Sequence, residues 1–587
     1  MQLTESNQVA GQPVKDTHVR GLPSCLWPAV VIVLLFAAVV ALQWRSGAFT
    51  AEFSGYPDEA AHYLSGLLVR DYVAAGVPAH PMSFAQKFYL HYPYIAIGHW
   101  PPLFYALEGA WTLLFSPSRI SVVLLMALIT VLLAGSTYTV LRSEFGEIAA
   151  LSSALFVIFV PVVQRYSTMI MADTLLALLS FWAVVCFGRF LKTTQWRDAI
   201  AFGALSCLAS LAKGNGFYLA LVPPISILLT RRFYLLKRPS FWFPAVMVML
   251  VSGPWHLLTM HLMLPTFGHT FGLEFTESAL RFYGVLLVKS VGPLALAFMI
   301  IGFFTRIIKP TALSIEPKYA AAAALLLSVF IFYCTVPAGI EARYFIAAIP
   351  PLFMFFVAGA DFLSKFLAIA AVKPERRREC LILLAVIVFA ITSFQVSSKI
   401  SYGFREAALN MVAKPEFRKS LSLVSSYGNY GEGIFISEVA MGGHRNEEII
   451  LRASKVLADD DWNGTQYRPR YPDPELLSKC LAETPIRFIV LDASPKNDRH
   501  YEHHRQLWQI VKDPSNHWEL TGVFNGDATG ESVVYVYESA RLDGEAATHS
   551  VPLNSIVANM DGTIDKWPVV MKLPCEAGKS SGNLSLH

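Results

Sequence analysis

Residues 119–141 read RISVVLLMALITVLLAGSTYTVL, an apolar run long enough to cross a lipid bilayer as a helix. Similar runs recur along residues 27–398 and are not found beyond them. They lie near 27–44, 119–141, 147–163, 173–191, 197–212, 216–231, 240–260, 284–304, 319–336, 343–363 and 380–398. The sequence therefore predicts a mainly α-helical polytopic membrane protein with about eleven transmembrane helices.

Charged residues are scarce and unevenly distributed. Of the 587 residues, 54% are hydrophobic and 15% are charged, whereas a soluble domain carries about 25% charged residues. Residues 1–398 hold 45 charged residues, and the much shorter segment 399–587 holds the other 45. This composition excludes a disordered chain and argues against a single soluble globule. The formal net charge of +4 sums a basic membrane block and an acidic tail, so no nucleic-acid partner is expected.

The charge distribution predicts four segments. Residues 1–26 form a cytoplasmic N-terminal tail, 27–398 the membrane domain, 399–540 a soluble α/β domain and 541–587 a loose C-terminal tail. Within the soluble domain, β-rich runs predict strands and periodic runs predict helices. The strands are expected at Gly433–Val439, Ile486–Asp492, His517–Phe524 and Ser532–Glu538, and the helices at Pro474–Glu483 and Tyr501–Lys512. Cys480 and Cys575 would pair if this domain is extracytoplasmic.

Loop charges predict the orientation in the membrane. With the N-terminus inside and residues 102–116 lying at the interface, the N-terminal tail and the inner loops together hold 17 Lys and Arg residues, and the outer loops hold six. This is the positive-inside pattern. If residues 102–116 crossed the membrane, every later loop would be inverted and the pattern would be lost. We therefore expect residues 45–118 to form a long outer loop with interfacial helices and the soluble domain to lie outside.

The charged residues nearest the membrane on that outer side could act together in one reaction. The acids at positions 58, 59 and 173 and the lysine at 213 also have ordinary structural explanations as helix-terminal residues. The helix dipole disfavours Arg343 at a helix start, and a salt bridge with Glu341 would account for it. Taken together, an acid that accepts a proton and cations that neutralise a phosphate suit transfer from a phosphate-bearing lipid to a hydroxyl group. The residues are Asp58, Glu59, Asp173, Lys213, Glu341 and Arg343.

Five short segments carry a family resemblance. In chain order they are PDEAAHY (57–63), GHWPPLFYALEGAWTLLF (98–115), MADTLLALL (171–179), LAKGNGF (211–217) and ARYFIAAIPPL (342–352). In this order they resemble the polytopic C-type (GT-C) glycosyltransferases that use polyprenyl-phosphate sugars. The resemblance is to the branch of protein O-mannosyltransferases and lipid A aminoarabinose and galacturonic acid transferases, and it covers about residues 50–365.

The resemblance implies roles for individual residues. It implies that Asp58 is the catalytic carboxylate with Glu59 as its neighbour, and that Asp173 helps to form the acceptor site. It also implies that Lys213 and Arg343 bind the phosphate of the lipid donor.

The sequence departs from the family at the Pro-Pro pair. Relatives have Lys or His directly before this pair, whereas this chain has Trp100, with His99 one residue earlier as the candidate phosphate contact. Some relatives bind a divalent metal in the first loop, and His62 and His99 are the candidate ligands here.

The resemblance implies an inverting hexosyl- or pentosyltransferase in a bacterial-type inner membrane. It would move a sugar from a polyprenyl-phosphate donor to a hydroxyl of a lipid, glycan or protein acceptor at the outer face. The alternatives are a glycolipid transporter or flippase and a non-catalytic envelope-assembly protein.

Overall fold

The computed structural model describes residues 27–95, 98–263, 270–308, 314–367, 372–418, 420–427, 429–443, 448–459, 467–493, 501–526 and 532–541. The predicted N-terminal tail, almost all of the predicted C-terminal tail and Cys575 lie outside these ranges. Cys480 is disulfide-bonded, and its pairing with Cys575 stays a prediction.

The membrane domain is built from helices that follow the apolar runs of the sequence. They are α1 (Trp27–Arg45), α2 (Pro57–Ala74), α3 (Pro81–His91), α4 (Leu103–Leu114), α5 (Arg119–Phe159), α6 (Pro161–Ser167), α7 (Asp173–Thr193), α8 (Trp196–Ala212), α9 (Val222–Thr230), α10 (Pro239–Val251), α11 (Gly253–Met263), α12 (Leu273–Val291), α13 (Pro293–Phe303), α14 (Pro317–Thr335), α15 (Ile349–Phe366) and α16 (Pro374–Thr392). Two 3₁₀ segments, Gly214–Leu221 and Ala342–Ala348, precede α9 and α15.

Several of these helices are long and apolar enough to cross a membrane. By length and composition, the described part of the chain has five such helices, or up to seven if each bent helix pair is one span. The chain is therefore an integral multi-pass membrane protein, as predicted. The finer count of about eleven spans stays a prediction, because several predicted runs coincide with shorter helices such as α8 and α9.

One break in the helices falls at a predicted boundary, and another lies inside a predicted span. α5 covers two predicted spans and contains a non-helical residue, Gly146, at φ 82°. The predicted span 284–304 is instead broken between α12 and α13, which meet at 110°. The break has a local cause, since Gly292 adopts a φ of 76° and Pro293 has no N–H to continue the helix.

The soluble domain contains a five-stranded sheet. Its helices are α17 (Phe404–Val412), α18 (Asn429–Gly442), α19 (Ala453–Val456), α20 (Pro474–Glu483) and α21 (Glu502–Lys512). Its strands are β1 (Leu421–Ser425), β2 (Ile449–Arg452), β5 (Ile486–Asp492), β6 (Trp518–Asn525) and β7 (Val533–Ser539), and β3 (Ala458–Asp459) pairs separately with β4 (Arg468–Pro469). The sheet order is β2-β1-β5-β7-β6, with β2, β1 and β5 parallel and the last two strands antiparallel.

One predicted strand of this domain is wrong. Residues Gly433–Val439 lie inside α18 and are not a strand. The physical reason is topological, because α18 connects β1 to the parallel strand β2, and parallel neighbours need a crossover, usually a helix. The other predicted strands and helices of the domain coincide with β5, β6, β7, α20 and α21 within about one residue.

Buried polar contacts dock the soluble domain on the predicted outer loop. The carboxylate of Glu52 accepts hydrogen bonds from the backbone N–H groups of Tyr402, Gly403 and Arg405. At a second contact, the guanidinium of Arg452 lies 4.4 Å from the ring centroid of Tyr94 and pairs with Glu432 at 3.0 Å. The soluble domain and the loop that contains α2 therefore lie on the same side of the membrane domain.

Candidate active site

An ion pair joins the start of α2 to the segment before α15. Pro57 occupies the first helical position of α2, which places Asp58 in the first turn, where a carboxylate suits the helix dipole. Nη1 of Arg343 lies 3.1 Å from Oδ2 of Asp58, with side-chain exposures of 8% and 15%. The two residues are 285 positions apart, so this pair is a product of the tertiary fold.

A second ion pair lies beside the first. Asp173 is the first residue of α7, and Nζ of Lys213 lies 2.7 Å from both of its carboxylate oxygens. Lys213 ends α8 in an extended conformation. The chain then turns back so closely that a Cβ on Gly216 would lie 2.7 Å from the backbone nitrogen of Ser210. Only glycine fits that approach, which explains the glycine at position 216.

A tyrosine ring connects the ion pairs, and a second ring packs on Arg343. The ring centroid of Tyr344 lies 5.3 Å from Nζ of Lys213 and 5.5 Å from Cζ of Arg343. On the other side, the ring of Tyr56 lies 4.1 Å from Cζ of Arg343. All three distances are within the range of cation–π attraction. The structure thus brings four of the predicted site residues, from α2, α7, the end of α8 and the segment before α15, into one cluster.

The partner of Arg343 differs from the one expected on local grounds. A salt bridge with Glu341 was the ordinary explanation, but the structure pairs Arg343 with Asp58. Glu341 instead accepts a hydrogen bond of 2.6 Å from the hydroxyl of Tyr56. Sequence reasoning assigned no role to Tyr56, which directly precedes the first motif, or to Tyr344, which lies within the last one.

The cluster has unused capacity to bind an anion. The Nε of Arg343 is buried and has no hydrogen-bond partner among the described residues. A buried donor without a partner is costly, so a ligand acceptor at this position would be strongly favoured. Arginine and lysine side by side match the geometry and charge of a phosphate group.

Glu59 points into a different network. Its carboxylate is fully buried and accepts hydrogen bonds from the backbone N–H of Gly55 and from Nζ of Lys399, at 2.9 and 2.7 Å. The N–H of Ile170 donates a third bond of 3.3 Å. The catalytic role predicted for Glu59 stays untested, and these contacts give it a structural role. Lys399 was missed by the sequence analysis, although it is the first charged residue after the last apolar run.

His62 lies in an aromatic pocket next to the cluster. Its Nδ1 is 2.7 Å from the hydroxyl of Tyr105, and its ring centroid is 4.3 Å from that of Trp100. Burial, and then the positive charges of Lys213 and Arg343, hold the pKa of His62 well below its ordinary value, so its imidazole is neutral.

The predicted metal ligands do not form a metal site. The ring of His99 packs edge-on against Trp100 at 5.1 Å. Within the described ranges, no three His, Cys, Asp or Glu side chains are grouped so that they could hold a metal ion. The residues around His62 and His99 therefore do not fit a metal centre, and we derive no chemical step through one.

One cavity borders the cluster and a second lies between neighbouring helices. The first, of about 900 Å³, is bordered by Tyr56 and Glu341 and by charged side chains of α12, among them Glu277, Arg281 and Lys289. The second, of about 680 Å³, is almost entirely apolar, lies between α8, α9 and α10, and includes Gly216 and Phe217 in its lining. A cavity with charged side chains in its lining therefore borders the cluster, and an apolar cavity is lined in part by the segment that follows Lys213.

Comparison with known proteins identifies the fold. Residues 99–257 match the family model of dolichyl-phosphate-mannose-protein mannosyltransferases. The chain is similar in structure to ArnT from Cupriavidus metallidurans bound to undecaprenyl phosphate, with a TM-score of 0.55, 14% identity, and coverage of 89% of this chain and 100% of that one. No curated protein sequence matches the chain significantly.

A second similar structure comes from an archaeon. It is the oligosaccharyltransferase AglB from Archaeoglobus fulgidus in complex with an inhibitory peptide and a dolichol-phosphate. The TM-score is 0.52 and the identity 14%, with coverage of 90% of this chain and 75% of that one. Together with the family match, these similarities confirm the predicted GT-C-type fold with a soluble C-terminal domain.

Proposed function

We propose that this protein is a membrane glycosyltransferase that moves a sugar from a polyprenyl-phosphate donor to an acceptor hydroxyl. The observation that carries the proposal is the cluster in which Asp58 lies against Arg343, with Lys213 beside it. The match to the mannosyltransferase family model and the GT-C-type fold support the same reaction class. In this proposal the site faces the outer side of a bacterial-type inner membrane, where the soluble domain also lies.

The donor phosphate would bind between Arg343 and Lys213. The unpartnered Nε of Arg343 offers one donor, and the ammonium of Lys213 is already aimed by Asp173. In this arrangement Asp173 orients Lys213, the residue that would bind the phosphate. This role adds to the one in the acceptor site that the family resemblance implies for Asp173. His99 would extend the phosphate site from the loop that carries Trp100.

The lipid chain of the donor would occupy the apolar cavity. Its wall includes Phe217, Ile227, Phe241 and Trp242. Gly216 and Phe217, which follow Lys213 in the chain, line this cavity, so a polyprenyl chain attached to a phosphate at Lys213 would run toward it. Because the bilayer is as apolar as this cavity, transfer of the chain from lipid adds little hydrophobic free energy, and the phosphate contacts would supply most of the donor affinity.

The acceptor would enter through the first cavity, whose lining includes charged side chains. This cavity borders Tyr56, whose ring packs on the guanidinium of Arg343, and Glu341, which accepts a hydrogen bond from the hydroxyl of Tyr56. Its charged lining from α12 suits a hydrated, hydroxyl-bearing group better than a purely apolar one.

The chemical step would be a single displacement. Asp58 takes the proton of the acceptor hydroxyl while the oxygen forms a bond to the anomeric carbon of the sugar. The bond from that carbon to the phosphate oxygen breaks, and its electron pair stays on the polyprenyl phosphate that leaves. Arg343 and Lys213 stabilise the charge that develops on the phosphate. Displacement from the opposite face would invert the anomeric centre.

Lipid analysis combined with a reconstituted assay tests this proposal. Membranes that contain the protein should hold a glycosylated product that is missing from membranes without it. Purified protein in bilayer nanodiscs should release polyprenyl phosphate from a panel of labelled polyprenyl-phosphate sugars only when the acceptor extract is present. Movement of the labelled lipid across the bilayer with no new glycosidic bond would instead identify a transporter.

A further inference from the structure

Lys399 and Glu59 form a buried ion pair close to the catalytic cluster. Their charged atoms are 2.7 Å apart, and the side chains are 3% and 0% exposed. The two residues are 340 positions apart, one in the first turn of α2 and the other in the linker between α16 and the soluble domain. A buried pair of this kind is strongly damaged when one partner is removed, because the other charge stays buried without compensation.

The Glu59–Lys399 pair forms hydrogen bonds to both of the segments that precede the active-site acids Asp58 and Asp173. Through its carboxylate, Glu59 holds the N–H of Gly55, three residues before Asp58. It also holds the N–H of Ile170, three residues before Asp173. Lys399 adds a bond of 3.2 Å to the carbonyl of Thr168 in the same segment.

The linker that carries Lys399 is itself fixed. The N–H of Lys399 donates a 2.9 Å hydrogen bond to the carbonyl of Ser46, and Ser54 donates to the carbonyl of Ile400. A few residues later, the backbone of the linker is held by Glu52. The backbone that carries the Lys399 side chain is therefore held in place by hydrogen bonds on both sides of this residue.

Because Asp58 directly precedes Glu59 on the helix, the ion pair of Glu59 with Lys399 also fixes the direction of the Asp58 side chain. Neighbouring residues on an α-helix point about 100° apart. When Glu59 is fixed toward Lys399, Asp58 is turned away from that network and toward Arg343. A rotation of this first turn would move the carboxylate of Asp58 off its 3.1 Å contact.

We propose that Lys399 is a positioning residue of the active site, which acts through Glu59 to fix the first turn of α2 and the segment before α7. The inference rests on the proposed transferase function. It assigns a task to the linker of the soluble domain, which holds the catalytic acid in place from outside the membrane helices.

Transfer kinetics of the full-length protein test the proposal. In Lys399→Met, kcat should fall by about 10²-fold, the cost of a misplacement of about 1 Å, while the Kd of the donor changes little. Lys399→Arg keeps the charge and should recover most of the activity. Adding Glu59→Gln to Lys399→Met removes the uncompensated charge and should restore part of kcat. The matched control is Lys479→Met, which removes an exposed lysine of α20 and should behave as the unsubstituted protein.

A merely structural role would give a different result. It would lower the folded fraction of Lys399→Met but leave kcat per folded molecule unchanged, and that outcome would overturn the proposal. Equal losses in Lys399→Met and Lys399→Arg would overturn it as well.

Amide hydrogen exchange separates this proposal from the proposed function. The N–H groups of Gly55 and Ile170 should exchange faster in Lys399→Met than in Lys399→Arg. If the unsubstituted protein transfers no sugar, the proposed function fails, and the exchange rates alone decide whether Lys399 holds these two segments. Unchanged exchange at both amides would refute the positioning role in either case.

Discussion

Replacing Asp58 by Asn tests the proposed mechanism at its centre. The substitution keeps the shape of the side chain and a hydrogen-bond acceptor for Nη1 of Arg343, 3.1 Å away. It removes the group that would accept the proton of the acceptor hydroxyl. General base catalysis contributes about 10²–10⁴-fold, so kcat should fall by that factor, which corresponds to about 3–5 kcal/mol in the activation barrier.

The same substitution should affect donor binding in the opposite direction. In the donor-free protein, Arg343 is 8% exposed and Asp58 neutralises it. With Asn at position 58, the guanidinium lacks its anionic partner, so a phosphate should bind at least as tightly as before. Loss of the buried partner should also lower the free energy of unfolding, by at most about 3 kcal/mol because a hydrogen bond is kept.

The assay measures product formation and donor binding on the same preparation of folded protein. Asp71→Asn is the matched control, since Asp71 lies on the same helix and pairs with Arg70 at 2.6 Å, away from the cluster. Its kcat should equal that of the unsubstituted protein. Near-normal transfer by Asp58→Asn would refute the reasoning, and so would a parallel loss of donor binding.

Four further predictions concern donor binding, membrane orientation, the soluble domain and the buried Glu52. Arg343→Ala removes a charge-assisted hydrogen bond worth about 1.5–3 kcal/mol, so the donor Kd measured by titration should rise about 10–100-fold; an unchanged Kd would exclude phosphate binding at this residue. A reporter that is active only in the cytoplasm should be silent when fused after Tyr402, and activity there would contradict the predicted orientation. Residues 405–540 expressed alone should unfold cooperatively on heating, followed by circular dichroism, and a featureless melt would show that the domain needs the membrane block. Burial raises the pKa of Glu52 from 4.5 to about 7, so its contribution to stability is lost as pH rises through that interval; Glu52→Gln should flatten this pH dependence of the melting temperature, and an unaltered slope would count against it.

The sequence alone predicted the features that depend on the order of neighbouring residues in the chain. Apolar runs of bilayer length predicted the membrane helices, and β-rich or helical runs predicted β5 and α20 with their observed bounds. Local rules also placed Asp58 and Asp173 at helix starts and Lys213 at a helix end. The exception was Gly433–Val439, whose β-like composition was overruled by the need for a crossover between two parallel strands.

Only the tertiary structure decided which charged groups meet. Sequence distance favoured a pair between Arg343 and Glu341, yet Arg343 pairs with Asp58, 285 residues away. Asp58 and Glu59 are neighbours in the chain, but packing sends one to Arg343 and the other to Lys399, 340 residues away. Periodicity determines which face of an element is apolar and where the element ends. The partner of a buried charge depends instead on how distant elements pack, because only the packed structure removes water and leaves each charge in need of a counter-charge.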